Sequence, residues 1–296
     1  MKSIKIEELT KDAMRVIDEG HKNLPGGDSV IPTGIVDLDL VLDGGLQRGN
    51  LYLLRGRPGC GKTSLACDIA CRIAAEYPKK GVAFFTMETD TDMTTQMMLS
   101  HCSGVPYRKV RSALLTDSEY AEVEQAAKTL VQAKMTVLWG EDTIDGIYEE
   151  ACDVDDDLCF EGTGAIDVVI VDYLELIKAD NGKNDKAKIL KELKSLAQGL
   201  NAPVIVMSTM DYSAPLSSQV RIDRSTRGYA RKLLDSDNNV IEPDVDVLIY
   251  LIKEELDPAV RSSVFNTTFY VYQPSWNDPA VARVEFRPEI VRFDNR

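Results

Sequence analysis

Gly56-Arg57-Pro58-Gly59-Cys60-Gly61-Lys62-Thr63 stands between two unlike patterns, the apolar run Leu51–Leu54 before it and a helical stripe of Leu65, Ile69 and Ile73 after it. Gly-x-x-x-x-Gly-Lys-Thr between a strand and a helix is the phosphate-binding loop pattern in its proper setting. The glycines let backbone N–H groups turn inward around a phosphate, and the helix N-terminus adds partial positive charge. Lys62 is expected to reach the β- and γ-phosphates as a point charge, and the Thr63 hydroxyl suits Mg²⁺. The expected nucleotide contacts are therefore Gly56, Pro58, Gly59, Cys60, Gly61, Lys62, Thr63 and the adjoining Ser64. A ligand-free glycine-rich turn is the competing interpretation, and eight constrained positions in the right context weigh against it.

Outward from the loop, apolar and amphipathic segments alternate. The apolar strand Val82–Met87 ends at Glu88, and a helix is expected from about Asp90. Thr116 is placed to cap a helix over Asp117–Ala133, followed by a short strand, Met135–Trp139. Asp167–Asp172 is a continuous apolar run, as expected of a strand buried on both faces of a parallel sheet. A helix over Asp185–Leu200 and a strand over Val204–Ser208 come next. Strands Val245–Ile252, Thr267–Tyr272 and Ala282–Phe286 close the chain. The pattern predicts a doubly wound, mainly parallel α/β sheet finished by a C-terminal β-meander. Upstream, residues 4–20 read as an amphipathic helix with Ile6, Leu9, Ala13 and Val16–Ile17 on one stripe, and Pro25-Gly26-Gly27 marks a flexible break.

The 296 residues suit one large α/β domain with appendages. Apolar content of 44% and charged content of 28% are those of an ordinary globular protein. No apolar run approaches membrane-spanning length, and the first residues lack a signal-peptide core. The six cysteines include no Cys-x-x-Cys pair, and only two histidines are present, which argues against zinc. Reduced thiols suit the cytoplasm. The net charge of −14 argues against coating nucleic acid with the whole surface, but it leaves room for a local basic channel. Between Glu141 and Glu161 the chain is rich in acids and free of Lys and Arg. Leu158 stands where a calcium loop needs glycine, so this run reads as a solvated face.

Ligands in doubly wound sheets lie beyond the carboxyl ends of the strands. Glu88 and Asp172 each end a strand there, beside the loop with Lys62 and Thr63. A carboxylate closing an apolar strand needs solvation or a cation, and next to a phosphate loop that cation is Mg²⁺. Glu88 is the expected general base, one water away from a γ-phosphate. Together these residues point to hydrolysis of a nucleoside triphosphate, ATP being the expected substrate.

Two later stretches are locally basic. Lys178, Lys183, Lys186, Lys188, Lys191 and Lys194 surround the segment after Asp172, and Arg221, Arg224, Arg227, Arg231 and Lys232 follow Ser208. Both leave the same edge of the sheet, where they would meet a phosphodiester backbone. A solvated, acid-balanced helix is the plain alternative for the lysine group.

The order of these features resembles the C-terminal ATPase domain of the DnaB-type replicative DNA helicases, a RecA-like fold. The stretches that carry the resemblance are Ile31-Pro32-Thr33-Gly34 with Asp37-Leu38-Asp39, the loop Gly56–Thr63, Phe85-Thr86-Met87-Glu88 and Val105–Asp117. Val171-Asp172-Tyr173-Leu174-Glu175-Leu176, Leu193–Pro203 and the terminal Arg292-Phe293-Asp294-Asn295 continue it. Residues 1–28 would be that family's linker helix and a flexible break, and residues 29–296 the RecA-like ATPase domain. The resemblance implies a hexameric ring with ATP at subunit interfaces and single-stranded DNA in the pore. A helicase loader or a related helicase is then a candidate partner. It also implies that Lys62 and Thr63 hold phosphate and Mg²⁺, Glu88 activates water and Asp172 supports the metal. Lys183, Lys186, Arg221, Arg224 and Arg227 would contact DNA from the pore segments.

The chain departs from the family pattern where a Lys-x-Arg element carries the arginine finger. Here the stretch reads Gln273-Pro274-Ser275-Trp276, leaving Arg231 or Arg283 as substitutes. Two function classes therefore follow. One is an ATP-hydrolysing DNA helicase or translocase working as a ring. The other is a weakened paralogue that binds ATP and serves as a regulatory or scaffold subunit. A circadian-clock-type or recombinase-type RecA-like ATPase shares the loop and Gly44-Gly45-Leu46, but fits Met87-Glu88 and Tyr173–Leu176 less well.

Overall fold

Seven consecutive buried residues, Ile166–Asp172, form the strand on which the sheet is built. The computed structural model describes residues 30–160, 162, 164–179, 185–210, 244–254, 264–273 and 279–295. It also describes helical positions 6, 10, 11 and 14 and the backbone of two short strands, Arg221–Ile222 and Leu233–Leu234. In chain order the first seven strands are β1 (Val30–Ile31), β2 (Leu46–Gln47), β3 (Leu51–Gly56), β4 (Gly81–Thr86), β5 (Met135–Trp139), β6 (Ile166–Asp172) and β7 (Val204–Thr209). The two short strands are β8 and β9, and β10 (Val247–Lys253), β11 (Phe265–Tyr272), β12 (Ala280–Arg287) and β13 (Arg292–Asn295) end the chain. The main sheet has nine strands in the order β13-β12-β11-β10-β3-β7-β6-β4-β5. Neighbours from β10 to β5 run parallel, and β10 to β13 form an antiparallel meander. The predicted doubly wound sheet with its terminal meander is therefore present.

Parallel strands read as unbroken apolar runs because both their faces are covered. Leu54, Phe84, Ile170 and Met207 pack on one face against Leu65, Ile69 and Ile73 of helix α2 (Lys62–Glu76), which follows the shorter α1 (Val36–Val41). Alternate residues Leu53, Phe85, Val169 and Val206 face the other way. They meet Ile189, Leu193 and Leu196 of the helix Lys186–Leu200 and Ile147 and Ala151 of the helix Ile144–Phe160. That second helix carries the acidic run on its outward side, as a solvated face requires. Thr116 caps the helix Asp117–Gln132 through a reciprocal box with Glu119.

Some pieces are new relative to the sequence reading. The helix Tyr107–Ser112 and the 3₁₀ turn Leu174–Leu176 are too short to show a period. Strand β13 joins the meander through the pairing of Phe286 with Phe293. It is fastened to α2 by the buried Asp68, which accepts from the Phe293 N–H at 2.6 Å and from Arg72 at 2.5 Å. The expected linker helix and break over residues 1–28 lie outside the described residues except at positions 6, 10, 11 and 14.

Candidate active site

Strands β3, β7, β6 and β4, neighbours in that order, end at one rim of the sheet, and the chain leaving β3 turns directly into α2. The turn works because Gly59 (φ +73°) and Gly61 (φ +103°) adopt left-handed backbone, which side chains disfavour. A Cβ on Gly61 would also stand 2.9 Å from the Phe286 ring. Phe286 and Phe293 stack at 4.4 Å behind this point, so the C-terminal strands buttress the loop. Gly61 is the N-cap of α2 without a side-chain cap, which leaves the first-turn N–H groups available to an anion.

The loop opens on a cleft of about 490 Å³. Pro58, Gly59, Gly61, Lys62, Thr63 and Ser64 line it. Gly56 and Cys60 lie behind it. Cys60 is buried with its N–H on the Arg57 carbonyl at 3.2 Å, and a Cβ on Gly56 would collide with the Cys60 sulfur. Lys62 donates to the Gly56 and Arg57 carbonyls at 3.1 and 3.3 Å, which holds its ammonium against the start of the loop.

Asp172 and Glu88 line the same cleft. Asp172 accepts from the Thr63 hydroxyl at 2.7 Å. Burial pushes its carboxyl up to about 6, against the pull of the Thr63 bond; Glu88 raises it further and Lys62 opposes. The Met87 N–H donates to the Asp172 carbonyl at 2.9 Å, tying the ends of β4 and β6 together just before the exposed Glu88. A buried carboxylate touching a hydroxyl beside a lysine and a helix N-terminus fits a divalent cation and a phosphate chain.

Sequence reasoning left out five lining residues, Tyr173, Thr209, Lys253, Phe286 and Pro288. Lys253 ends the apolar strand β10, donates to the Gly59 carbonyl at 3.2 Å and sits 4.4 Å over the Phe265 ring. The rule that found Glu88 and Asp172, a charged residue closing a buried strand, would have found it too. Phe286 and Pro288 also line the cleft, and nothing in the sequence signals this.

Of the predicted DNA contacts, Lys186 lies at the start of its helix and pairs with Glu175 at 3.1 Å. Glu175 also accepts from Ser208 Oγ at 2.7 Å and the Thr209 N–H at 3.2 Å, locking the turn after β6 to the end of β7. Arg221 lies on β8, of which only the backbone is described, and Lys183, Arg224 and Arg227 lie outside the described residues. Lys194 is drawn to the opposite rim, where it pairs with Asp246 at 2.6 Å. Arg283 is exposed on β12, while Arg231 and Pro274–Trp276 lie outside the described residues.

Residues 30–295 match the family model of the DnaB-like helicase C-terminal domain. A replicative DNA helicase DnaB of Treponema pallidum (strain Nichols) is 30% identical over 97% of this chain and 61% of its own length. A probable plasmid replicative DNA helicase of Chlamydia muridarum (strain MoPn / Nigg) is 29% identical over 79% of this chain and 49% of its own. The chain thus spans about half of several curated relatives. Among solved structures, one that is itself an ATPase domain superposes with a TM-score of 0.77 at 17% identity, each chain fully covered. A DnaB-like replicative helicase, solved in work on its interactions with primase, gives 0.73 at 18%, covering all of this chain and 68% of that one. The fold is RecA-like, and the chain belongs to the DnaB-like helicase C-terminal domain family.

Proposed function

We propose that this DnaB-like helicase domain hydrolyses ATP and moves along single-stranded DNA as a ring, hexameric by family likeness. One observation carries the reading: Lys62 and Thr63 from the start of α2, and Glu88 and Asp172 from the ends of two strands, line a single cleft. Lys62 and the first-turn N–H groups of α2 would bind the β- and γ-phosphates. Thr63 and Asp172 would hold Mg²⁺, which neutralises charge on phosphate oxygens when bound. Glu88, exposed at the mouth, would orient a water for in-line attack and accept its proton. Family membership supports the strand-moving role, with Lys183, Lys186, Arg221, Arg224 and Arg227 as backbone contacts and a loader or related helicase as partner.

Steady-state ATP turnover with and without single-stranded DNA, together with the solution mass, tests the reading. Lys62→Ala is expected to abolish ATP binding, and Glu88→Gln to keep binding while turnover collapses. Unchanged ATP affinity in Lys62→Ala would overturn the assignment of the loop. A monomer whose turnover ignores DNA would overturn the ring translocase.

A further inference from the structure

Arg55 interrupts the apolar strand β3 one residue before the phosphate loop begins. Its neighbours in register are Ser208 of β7 and Tyr250 of β10. Alternation along β3 puts it on the face of Leu51 and Leu53, away from the face that α2 covers. Arg55 is half-buried, and its Nε is buried without a hydrogen-bond partner. No ion pair or ring contact among the described residues uses it. Four other cations around the sheet are answered: Arg48 and Lys80 by Asp167, Lys194 by Asp246, Lys186 by Glu175. A guanidinium partly withdrawn from water with an unanswered N–H favours an anion that arrives from outside.

Its position identifies that anion. Beside Arg55, β7 runs on from Ser208 into the arginine-rich stretch, and β6, the next strand over, runs through the 3₁₀ turn into the lysine-rich one. Arg55 therefore stands on the rim of the sheet from which both basic stretches leave. A planar, five-donor guanidinium matches the two free oxygens of a phosphodiester better than a lysine does. We propose that Arg55 binds a backbone phosphate of single-stranded nucleic acid, adding a fixed contact on the phosphate-loop strand itself. The inference rests on the function proposed above and deepens it. Because Arg55 directly precedes the phosphate loop, strand and nucleotide would be held by neighbouring stretches of one chain segment.

Fluorescence anisotropy of a labelled oligo-dT, followed from about 50 to about 300 mM NaCl with the full chain, tests this. Arg55→Ala is expected to bind roughly tenfold more weakly at the low end, with the slope of log affinity against log salt smaller by about 0.7. Arg55→Lys keeps the slope, and affinity for a fluorescent ATP analogue stays within about twofold of wild type in both. Arg55→Met, which keeps the buried stem, gives the same reading if the alanine variant folds poorly. Wild-type binding with an unchanged slope and affinity in the neutral variants overturns this inference alone. A neutral variant that changes solution mass but not the slope overturns it in favour of a subunit contact. Failure of the wild type to bind oligo-dT overturns both this inference and the DNA-binding function.

Discussion

Thr63 gives its hydroxyl hydrogen to Asp172 across 2.7 Å, joining the first turn of α2 to the end of β6, 109 residues further along the chain. The bond offsets only part of what burial costs the carboxylate. Burial raises the Asp172 carboxyl to about 6, so the ionised form is held at a cost. Replacing it with a neutral amide of the same shape removes that cost and the negative charge together. Asp172→Asn is expected to melt no lower than wild type, yet to turn over ATP about 10²–10³-fold more slowly. Calorimetry beside an ATPase assay checks the split; a lower melting temperature with normal turnover would make Asp172 a structural residue.

A second test concerns the grip of α2 on the last strand. Asp68 is fully buried and accepts from Arg72 and from the Phe293 N–H, and Arg72 also donates to the carbonyls of Gly34 at 3.0 Å and Phe293 at 2.6 Å. Removing one member of a buried pair strands the other charge, a loss of about 3–5 kcal/mol. Arg72→Met is expected to lower urea stability by that amount, and Asp68→Asn in the same chain to return part of it. ATP affinity should fall with stability, because Phe293 and Phe286 back the loop at Gly61. Unfolding curves of the two single variants and the double variant measure the coupling.

The loop, the strand ends and the order of strands and helices were readable because each is written locally. Gly59 and Gly61 declare a left-handed turn, and Asp167–Asp172 declares a strand buried on both faces. The Asp68–Arg72–Phe293 latch was not readable, since nothing in residues 68 to 72 says which carbonyl 221 positions away will be met. Lys253 and Arg55 illustrate a middle case. Both are charges at the end of apolar strands, visible in the sequence, but their meaning depends on which strands lie beside them. Strand adjacency is set by crossover connections, which a one-dimensional pattern leaves open.

Asp39 offers a pH test away from the cleft. It accepts from the Thr33 N–H at 2.8 Å, the Thr33 hydroxyl at 2.7 Å and the Gly34 N–H at 3.1 Å. Burial nevertheless outweighs these bonds and pushes its carboxyl up to about 6. The folded state thus holds this proton more tightly than the unfolded chain, where an aspartate titrates near about 3.9. The associated stability is complete below about pH 4, fades as pH rises through about 6, and is gone above about 7. Asp39→Asn cannot titrate. The melting temperature of the variant minus that of wild type should rise between about pH 4 and pH 6.5 and then level off. A flat difference across that window would show that the three hydrogen bonds win over burial.

Lys253 approaches the loop from the flank opposite Glu88 and Asp172, since β10 borders β3 on one side while β7, β6 and β4 lie on the other. Its ammonium is fixed twice, by the Gly59 carbonyl at 3.2 Å and by the Phe265 ring at 4.4 Å. A cation fixed in advance loses little entropy when an anion arrives, so it serves affinity. It stands apart from the strand ends that carry Glu88 and Asp172, so the chemical step should not depend on it. Lys253→Gln is therefore expected to raise the KM for ATP by about tenfold, the worth of one hydrogen bond to a charged group, and to leave kcat near wild type. Lys253→Arg should not restore KM fully, because a guanidinium on the Phe265 ring lies flat and presents its donors differently to Gly59. If kcat falls instead and KM holds, Lys253 acts on the transition state, and the second cation that this chain lacks at Gln273–Trp276 is supplied from its own strand β10.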